Sequence, residues 1–260
     1  MLTEHQRQKA IEILIQAKKN VKQAERISVT FPEIEIEDAY AISQGVAQAR
    51  IDAGGVLVGH KVGLTSKAMQ RSSNIDEPDY GYIFQDMVMQ SGVALNRCDF
   101  CIPRVEPELT FVLKDHLKGP NVSLIDVMNA TDYVLPSIEI IDARFTEPRK
   151  IFDTVSDNGA AAAHIIGGSP VRPDDVDLRW VGAMFYRNND IEETGIAGGV
   201  LGHPAMGVAW LANKLSTFGI TLEPGHMILS GSFTRPVWAE KGDTLYADFG
   251  PLGSVVVSMK

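Results

Sequence analysis

Residues 104–113 read RVEPELTFVL and residues 132–142 read DYVLPSIEIID. Both are apolar runs with β-branched residues, the composition of strands. Successive side chains of an extended chain point to opposite faces. In the first run Val105, Pro107, Leu109 and Phe111 therefore share one face, and Glu106, Glu108, Thr110 and Val112 share the other. Two carboxylates point the same way, two residues apart. That pattern suits the polar, solvated face of an antiparallel strand as well as it suits a site. The second run sharpens the choice, because its alternation places Glu139 beside Leu135, Ser137 and Ile141, residues that favour burial.

Outward from these runs the chain divides in two. From Val56 onward short strand-like stretches recur, VLVGHKVGL (56–64), MILSGS (227–232) and SVVVSM (254–259), separated by Gly, Pro, Asn and Asp. Before Val56 the pattern is helical. Leu2, Ile11, Leu14, Ile15 and Val21 recur at roughly helical spacing over the first 22 residues, and Ala39, Ile42, Val46, Ala49 and Ala53 predict a helix over 36–54 that Gly54-Gly55 stops. One late helix is expected from His203-Pro204 through Leu215 to Gly219, with the proline near its first turn. Strict βα alternation is missing, which argues against a Rossmann fold or a barrel of βα repeats. The expectation is an α+β fold, a mixed β-roll or barrel (56–260) carrying a small helical N-terminal cap (1–55). The Gly-rich stretch GIAGGVLGHP (195–204) is too irregular for a phosphate loop and reads as a loop entering the late helix.

Composition narrows the function classes. The 260 residues carry 24 Lys+Arg against 33 Asp+Glu, a formal charge of −9, which disfavours nucleic acid as a partner. With 45% hydrophobic and 22% charged residues the chain has the makings of a large core, not of a disordered protein. No apolar run is long enough to cross a membrane, and the polar start does not resemble a signal peptide, so the expected setting is soluble and cytoplasmic. Cys98 and Cys101 are spaced as in redox and zinc motifs, but a structural zinc needs four ligands and no second pair follows. Two buried or half-buried thiols are the expectation. The six histidines are scattered and name no site.

If Glu106, Glu108 and Glu139 converge, they repel one another and are costly to desolvate, so they require protons or a cation. All-oxygen ligands without thiolate or imidazole point to Mg²⁺, Mn²⁺ or Ca²⁺. Spacing alone does not bring the three together.

Several longer strings, in fixed order along nearly the whole chain, carry a resemblance: GHKVGLTSKAMQ (59–70), EPDYG (77–81), PRVEPEL (103–109), ATDYVLPSIEIIDAR (130–144), FDTVSDN (152–158) and GVLGHPAMGVAWLANKL (199–215). Together they resemble the fumarylacetoacetate hydrolase superfamily, in its branch of hydratases and decarboxylases from aromatic meta-cleavage pathways. IEETG (191–195) and GSFTRPV (231–237) resemble the hydratases of seven-carbon diacids within it.

The resemblance implies a metal-dependent lyase that adds water to a 2-hydroxy-2,4-dienoate or 2-oxo-4-enoate, with 2-oxohept-4-ene-1,7-dioate as substrate. It matches Glu106, Glu108 and Glu139 to the family's ligands for Mg²⁺ or Mn²⁺, which chelates the C1 carboxylate and C2 oxygen of the substrate. It matches Lys61 to the lysine beside that chelate and Asp79 to an acid that moves protons along the diene. It also implies homo-oligomeric assembly. The alternatives are 4-oxalocrotonate decarboxylation on the same chelate and a non-catalytic partner subunit of a hydratase–decarboxylase complex. Ala160 stands where related decarboxylases and pentenoate hydratases tend to carry serine and where the diacid hydratases also lack it, which favours hydration over decarboxylation. A further departure is RFTEPRKIF (144–152), shorter than the matching loop of the diacid hydratases.

Weaker candidates complete the reading. Arg235 suits the distal carboxylate of a diacid, or is a surface arginine on a turn. Arg144, Arg149 and Lys150 flank a loop able to close over the site, or are solvated charges. Asp157 and Asn158 either hydrogen-bond neighbouring loops or touch substrate. His60 reads as a polar neighbour of a strand.

Overall fold

The computed structural model describes residues 1–72 and 77–260. In chain order the helices and strands are α1 (Glu4–Asn20), α2 (Ile27–Thr30), α3 (Ile36–Asp52), β1 (Leu57–Gly63), α4 (Lys67–Ser72), β2 (Asp79–Phe84), β3 (Val88–Gln90), β4 (Val93–Leu95) and β5 (Pro103–Leu113). There follow α5 (Leu124–Ala130), β6 (Thr131–Asp142), α6 (Ile151–Ser156), β7 (Ala161–Ile166), β8 (Gly182–Arg187), β9 (Asp190–Ile196), α7 (Pro204–Ser216), β10 (Met227–Leu229), β11 (Val237–Trp238), β12 (Thr244–Asp248) and β13 (Ser254–Met259).

The two runs that decide the fold are the two longest strands, and they lie side by side. β5 and β6 pair antiparallel at the centre of a sheet ordered β2-β1-β10-β5-β6-β7-β3, with β11 added along the start of β5. β1–β10 and β3–β7 are parallel pairs while the other pairs are antiparallel, so the sheet is mixed. Register shifts at Leu57/Gly59, Val112/Leu113 and Ile140/Ile141 add local twist and help the sheet to curl. A second sheet, β4-β13-β12-β8-β9, completes the β-roll. The α+β expectation holds.

α1 starts where Thr3 accepts from the Gln6 amide and Gln6 answers on the Thr3 backbone, a reciprocal cap, and it ends at Val21 in a left-handed conformation. α3 runs Ile36–Asp52. His203 caps α7 through Nδ1, with Pro204 in the first turn. Gly207 lets that helix press on the β10 end, since a Cβ there would come within 2.2 Å of the Ser230 carbonyl. Side chains of α1 and α3 share one continuous core with those of the large sheet.

The strand-rich body contains more helix than its sequence suggests. α5 and α6, of seven and six residues, are too short to display a helical period, and α5 is held instead by the Ser123–Asp126 capping box. Ile15 and Val21 are exposed, as is Ala53, so the expected apolar stripes of both N-terminal helices are only partly covered. Cys98 is exposed on a 3₁₀ turn at Arg97–Asp99 and Cys101 is half-buried, which corrects the expectation of two sheltered thiols. No helix among the described residues is long and apolar enough to cross a membrane.

Candidate metal centre

The β5–β6 register sets Glu106 directly opposite Glu139, with Glu108 two residues along the Glu106 face and opposite Ser137. One carboxylate oxygen from each glutamate lies within 4.8 Å of the others. Glu108 and Glu139 are buried, Glu106 half-buried. Like charges at opposed positions destabilise a ladder, so this placement opposes folding unless something else compensates it.

Part of the compensation comes from β1. Lys61, buried, holds Nζ 3.8 Å from Glu139 Oε1 and 3.8 Å from Asp79 Oδ1 on β2, close enough for attraction but beyond hydrogen-bonding distance. The Gly231 amide donates to Glu108 Oε2 at 2.9 Å. Glu139 Oε1 and Asp79 Oδ1 have no hydrogen-bond partner although both are buried. One ammonium thus faces four carboxyl groups.

The titration behaviour follows. Burial first, then the neighbouring carboxylates, lift Glu108 well above the ordinary carboxylate range. Burial lifts Glu139 to about 7, against the opposing pull of Lys61. Glu106 is raised by the same desolvation, with Lys61 and Arg104 acting against it. Burial would by itself lower Lys61, but Glu139, Asp79, Glu106 and Glu108 outweigh it and keep the ammonium charged above its usual range. Three crowded carboxyls, one with an unpartnered buried oxygen, and no soft donor fit a hard divalent cation. Bound there, the cation would remove the repulsion that now drives these groups toward protonation.

Two glycines leave the space this arrangement needs. A Cβ on Gly63 would lie 2.2 Å from Asp79 Oδ1. Gly159, at φ +57°, packs so closely that a Cβ would come 2.7 Å from Lys61 Cε. Gly159 is the middle of three successive left-handed residues, Asn158, Gly159 and Ala160, a conformation that costs on the order of 1 kcal/mol at each non-glycine position.

Asn158 and Arg144 hold that turn in place. Asn158 Oδ1 accepts from the Tyr82 amide at 2.7 Å and its Nδ2 donates to the Tyr82 carbonyl at 3.0 Å. Arg144, buried, donates through Nε to the Asp157 carboxylate, through Nη2 to the Asp157 carbonyl and through Nη1 to the Ala161 carbonyl. Arg235, largely exposed, pairs through Nε and Nη2 with Oε1 of Glu193 on β9. Arg149 pairs with Glu147. His60, on the face of β1 opposite Lys61, is fully buried against Tyr82 and His226, and burial lowers its pKa to about 3. The Gly231 amide, Gly63 and Gly159 escaped the sequence reading because the approaches that require them come from distant parts of the chain.

No family-level sequence profile matches the chain. Individual proteins do. It is 53% identical to the 2-oxo-hept-4-ene-1,7-dioate hydratase of Escherichia coli over 262 aligned residues, 98% of each chain. The chain belongs to the hydratase and decarboxylase branch of the fumarylacetoacetate hydrolase superfamily. A second member, the 2-keto-4-pentenoate hydratase of Paraburkholderia xenovorans, is 35% identical over 98% of this chain and 95% of its own. The 4-oxalocrotonate decarboxylase of Pseudomonas putida G7, solved with magnesium and adipate, superposes with a TM-score of 0.97 at 32% identity, covering 100% of this chain and 99% of its own. The fold likeness reaches further into the superfamily, to the fumarylpyruvate hydrolase of Pseudomonas aeruginosa at a TM-score of 0.63 over 78% of this chain and 89% of its own. The decarboxylase was solved with magnesium, and in this chain Glu106, Glu108 and Glu139 form a cluster that could hold such an ion.

Proposed function

We propose that the protein is a Mg²⁺- or Mn²⁺-dependent hydro-lyase that hydrates 2-oxohept-4-ene-1,7-dioate by way of its 2-hydroxy-2,4-dienoate tautomer. The observation that carries the reading is the convergence of three carboxylates, two buried and one half-buried, beside a lysine that stays charged. The 53% identical hydratase supports the choice of substrate. A divalent ion held by Glu106, Glu108 and Glu139 would supply Lewis acidity toward a chelating 2-oxo acid.

The chain's own groups supply the rest. Lys61 holds negative charge on the C2 oxygen, as an oxyanion partner whose ammonium the surrounding carboxylates keep protonated. Asp79, with its unpartnered Oδ1, moves the protons. One proton arrives at C5 as the enol proton leaves, giving the C3=C4 enone. Water then adds at C4, and a proton added at C3 leaves the 4-hydroxy-2-oxo acid. Arg144 and Asn158, candidates for substrate contact with structural alternatives in the sequence reading, serve this scheme by holding Gly159 against Lys61. Arg235 remains the candidate for the distal carboxylate if it exchanges Glu193 for substrate. A cytoplasmic, homo-oligomeric protein belongs to the same reading.

Mass spectrometry after mixing the Mg²⁺-loaded protein with freshly generated 2-hydroxyhepta-2,4-diene-1,7-dioate tests it. Gain of one water, abolished by a chelator, is expected. No gain with this substrate, and loss of CO₂ from 4-oxalocrotonate instead, would replace hydration by decarboxylation.

A further inference from the structure

A cavity of about 420 Å³ lies between α1, α3 and the turn that follows α6. None of Glu106, Glu108, Glu139, Lys61 or Asp79 lines it, so it is separate from the metal centre. Ile15 of α1, Val46 and Ala49 of α3 and Ala53 just beyond it, apolar residues left incompletely covered, line the cavity with Leu14 and Phe84. Its volume falls within the range of small-molecule sites.

The polar part of the lining has a definite sign. Asp86 is paired with Arg50, whose guanidinium also lies over the Phe84 ring at 4.3 Å, and Asp157 is paired with Arg144. Those pairs cancel. Lys18 and Lys19 remain, and among the described residues neither has a carboxylate within ion-pair distance. Lys18 is accessible to solvent yet crowded by protein. That crowding first, then the charges of Arg50 and Arg144, lower its ammonium to about 8, with Asp86 and Asp157 acting against them. In a chain of net charge −9, two unpaired lysines at the mouth of an apolar cavity are a local reversal of sign.

We propose that this cavity binds a small amphipathic carboxylate, with its head on Lys18 and its apolar body against Leu14, Val46 and Phe84. A neutral apolar ligand would leave the lysines unpaired, and a small hydrophilic anion would leave the apolar wall uncovered. Only the combination answers both halves of the lining.

Isothermal titration of the Mg²⁺-loaded protein tests this, with oxalate present to occupy the metal centre. The probes are octanoate, acetate (head without tail) and octanol (tail without charge). Octanoate is expected to bind at least about tenfold more tightly than either control. Lys18→Met is expected to weaken octanoate about tenfold, and Ala49→Phe, which fills the cavity from a half-buried position, to abolish binding, with metal-dependent stabilisation retained in both variants. Octanoate binding no better than acetate, displacement of octanoate by rising oxalate, or affinity unchanged in Lys18→Met would each overturn the proposal. Failure of octanoate to bind because a second copy of the chain fills the cavity, detected by chemical crosslinks from Lys18 to that copy, would overturn it too.

Discussion

Two groups of buried charge lie on either side of the same turn, and they differ in how completely they are satisfied. In the first, Arg144 spends its donors on Asp157 and on backbone carbonyls, and the Arg144 amide also donates to the Asp157 carboxylate at 2.7 Å. In the second, Glu106, Glu108, Glu139 and Asp79 share the single ammonium of Lys61 at distances too long for hydrogen bonds, and two of their oxygens have no partner. Burial raises Asp157 as it raises the glutamates, but only Asp157 has its partner in full contact. A closed pair holds the fold together. The open cluster is left incomplete in a form that a divalent cation completes, and proteins commonly lose stability at sites of this kind in exchange for function.

The comparison can be broken at either side. The largest effect is expected from Glu108→Gln, which removes a ligand charge while its amide oxygen still accepts from Gly231: Mg²⁺-dependent turnover should fall about 10³-fold or more. The same substitution should raise the melting temperature of the metal-free protein by about 2–4 °C, because a desolvated charge is gone. Unchanged turnover would remove Glu108 from the metal centre.

Arg144→Met should have the opposite signature, a loss of about 3–5 kcal/mol of stability read by chemical denaturation, because it strands the Asp157 carboxylate. Adding Asp157→Leu should recover part of that loss. If the double variant is no better than the single, Arg144 acts through its backbone contacts alone.

Lys61→Met is expected to lower kcat about 10²–10³-fold with metal affinity retained, the size of effect seen when a donor to developing negative charge is lost. Loss of metal binding instead would make Lys61 an electrostatic support for the glutamates.

The smallest and most diagnostic effect is in pH. Glu139, raised from an ordinary 4.5 to about 7, favours the metal-free fold most below 4.5, and that contribution is lost as pH rises through 7. Metal binding needs the ionised form and so strengthens over the same interval. The rise in melting temperature on adding Mg²⁺ should therefore be greater at pH 8 than at pH 5.5. An equal rise at both would mean that Glu139 is ionised before metal arrives.

How much of this could be read in advance depended on the distance over which each feature is set. The E-x-E face of β5 and the sheltered position of Glu139 followed from alternation, a property of two or three neighbouring residues. The convergence of Glu106 with Glu139 did not, because a shift of one residue in register would turn Glu139 to the other face. Lys61 and Asp79 were singled out by resemblance to a family, since a lysine and an aspartate in separate strands leave no periodic signal. Arg144 and Asn158 were noticed, but only the folded chain shows that they spend their hydrogen bonds on the turn against Lys61. Exposed Cys98, short α5 and α6, and the uncovered faces of α1 and α3 were beyond local pattern.

By itself the sequence determined a strand-rich body with a helical N-terminal region, an acidic character unsuited to nucleic acid, two glutamates on one strand face, and membership of a metal-dependent family through strings spread along the chain. Tertiary structure decided which carboxylates meet, that Lys61 stands among them, that Arg235 pairs with Glu193, and that a cationic apolar cavity lies beyond the turn. Side-chain direction along a strand is a local consequence of backbone geometry. Charge balance at a buried site is a sum over groups brought together from distant segments, and strand register is what performs that sum.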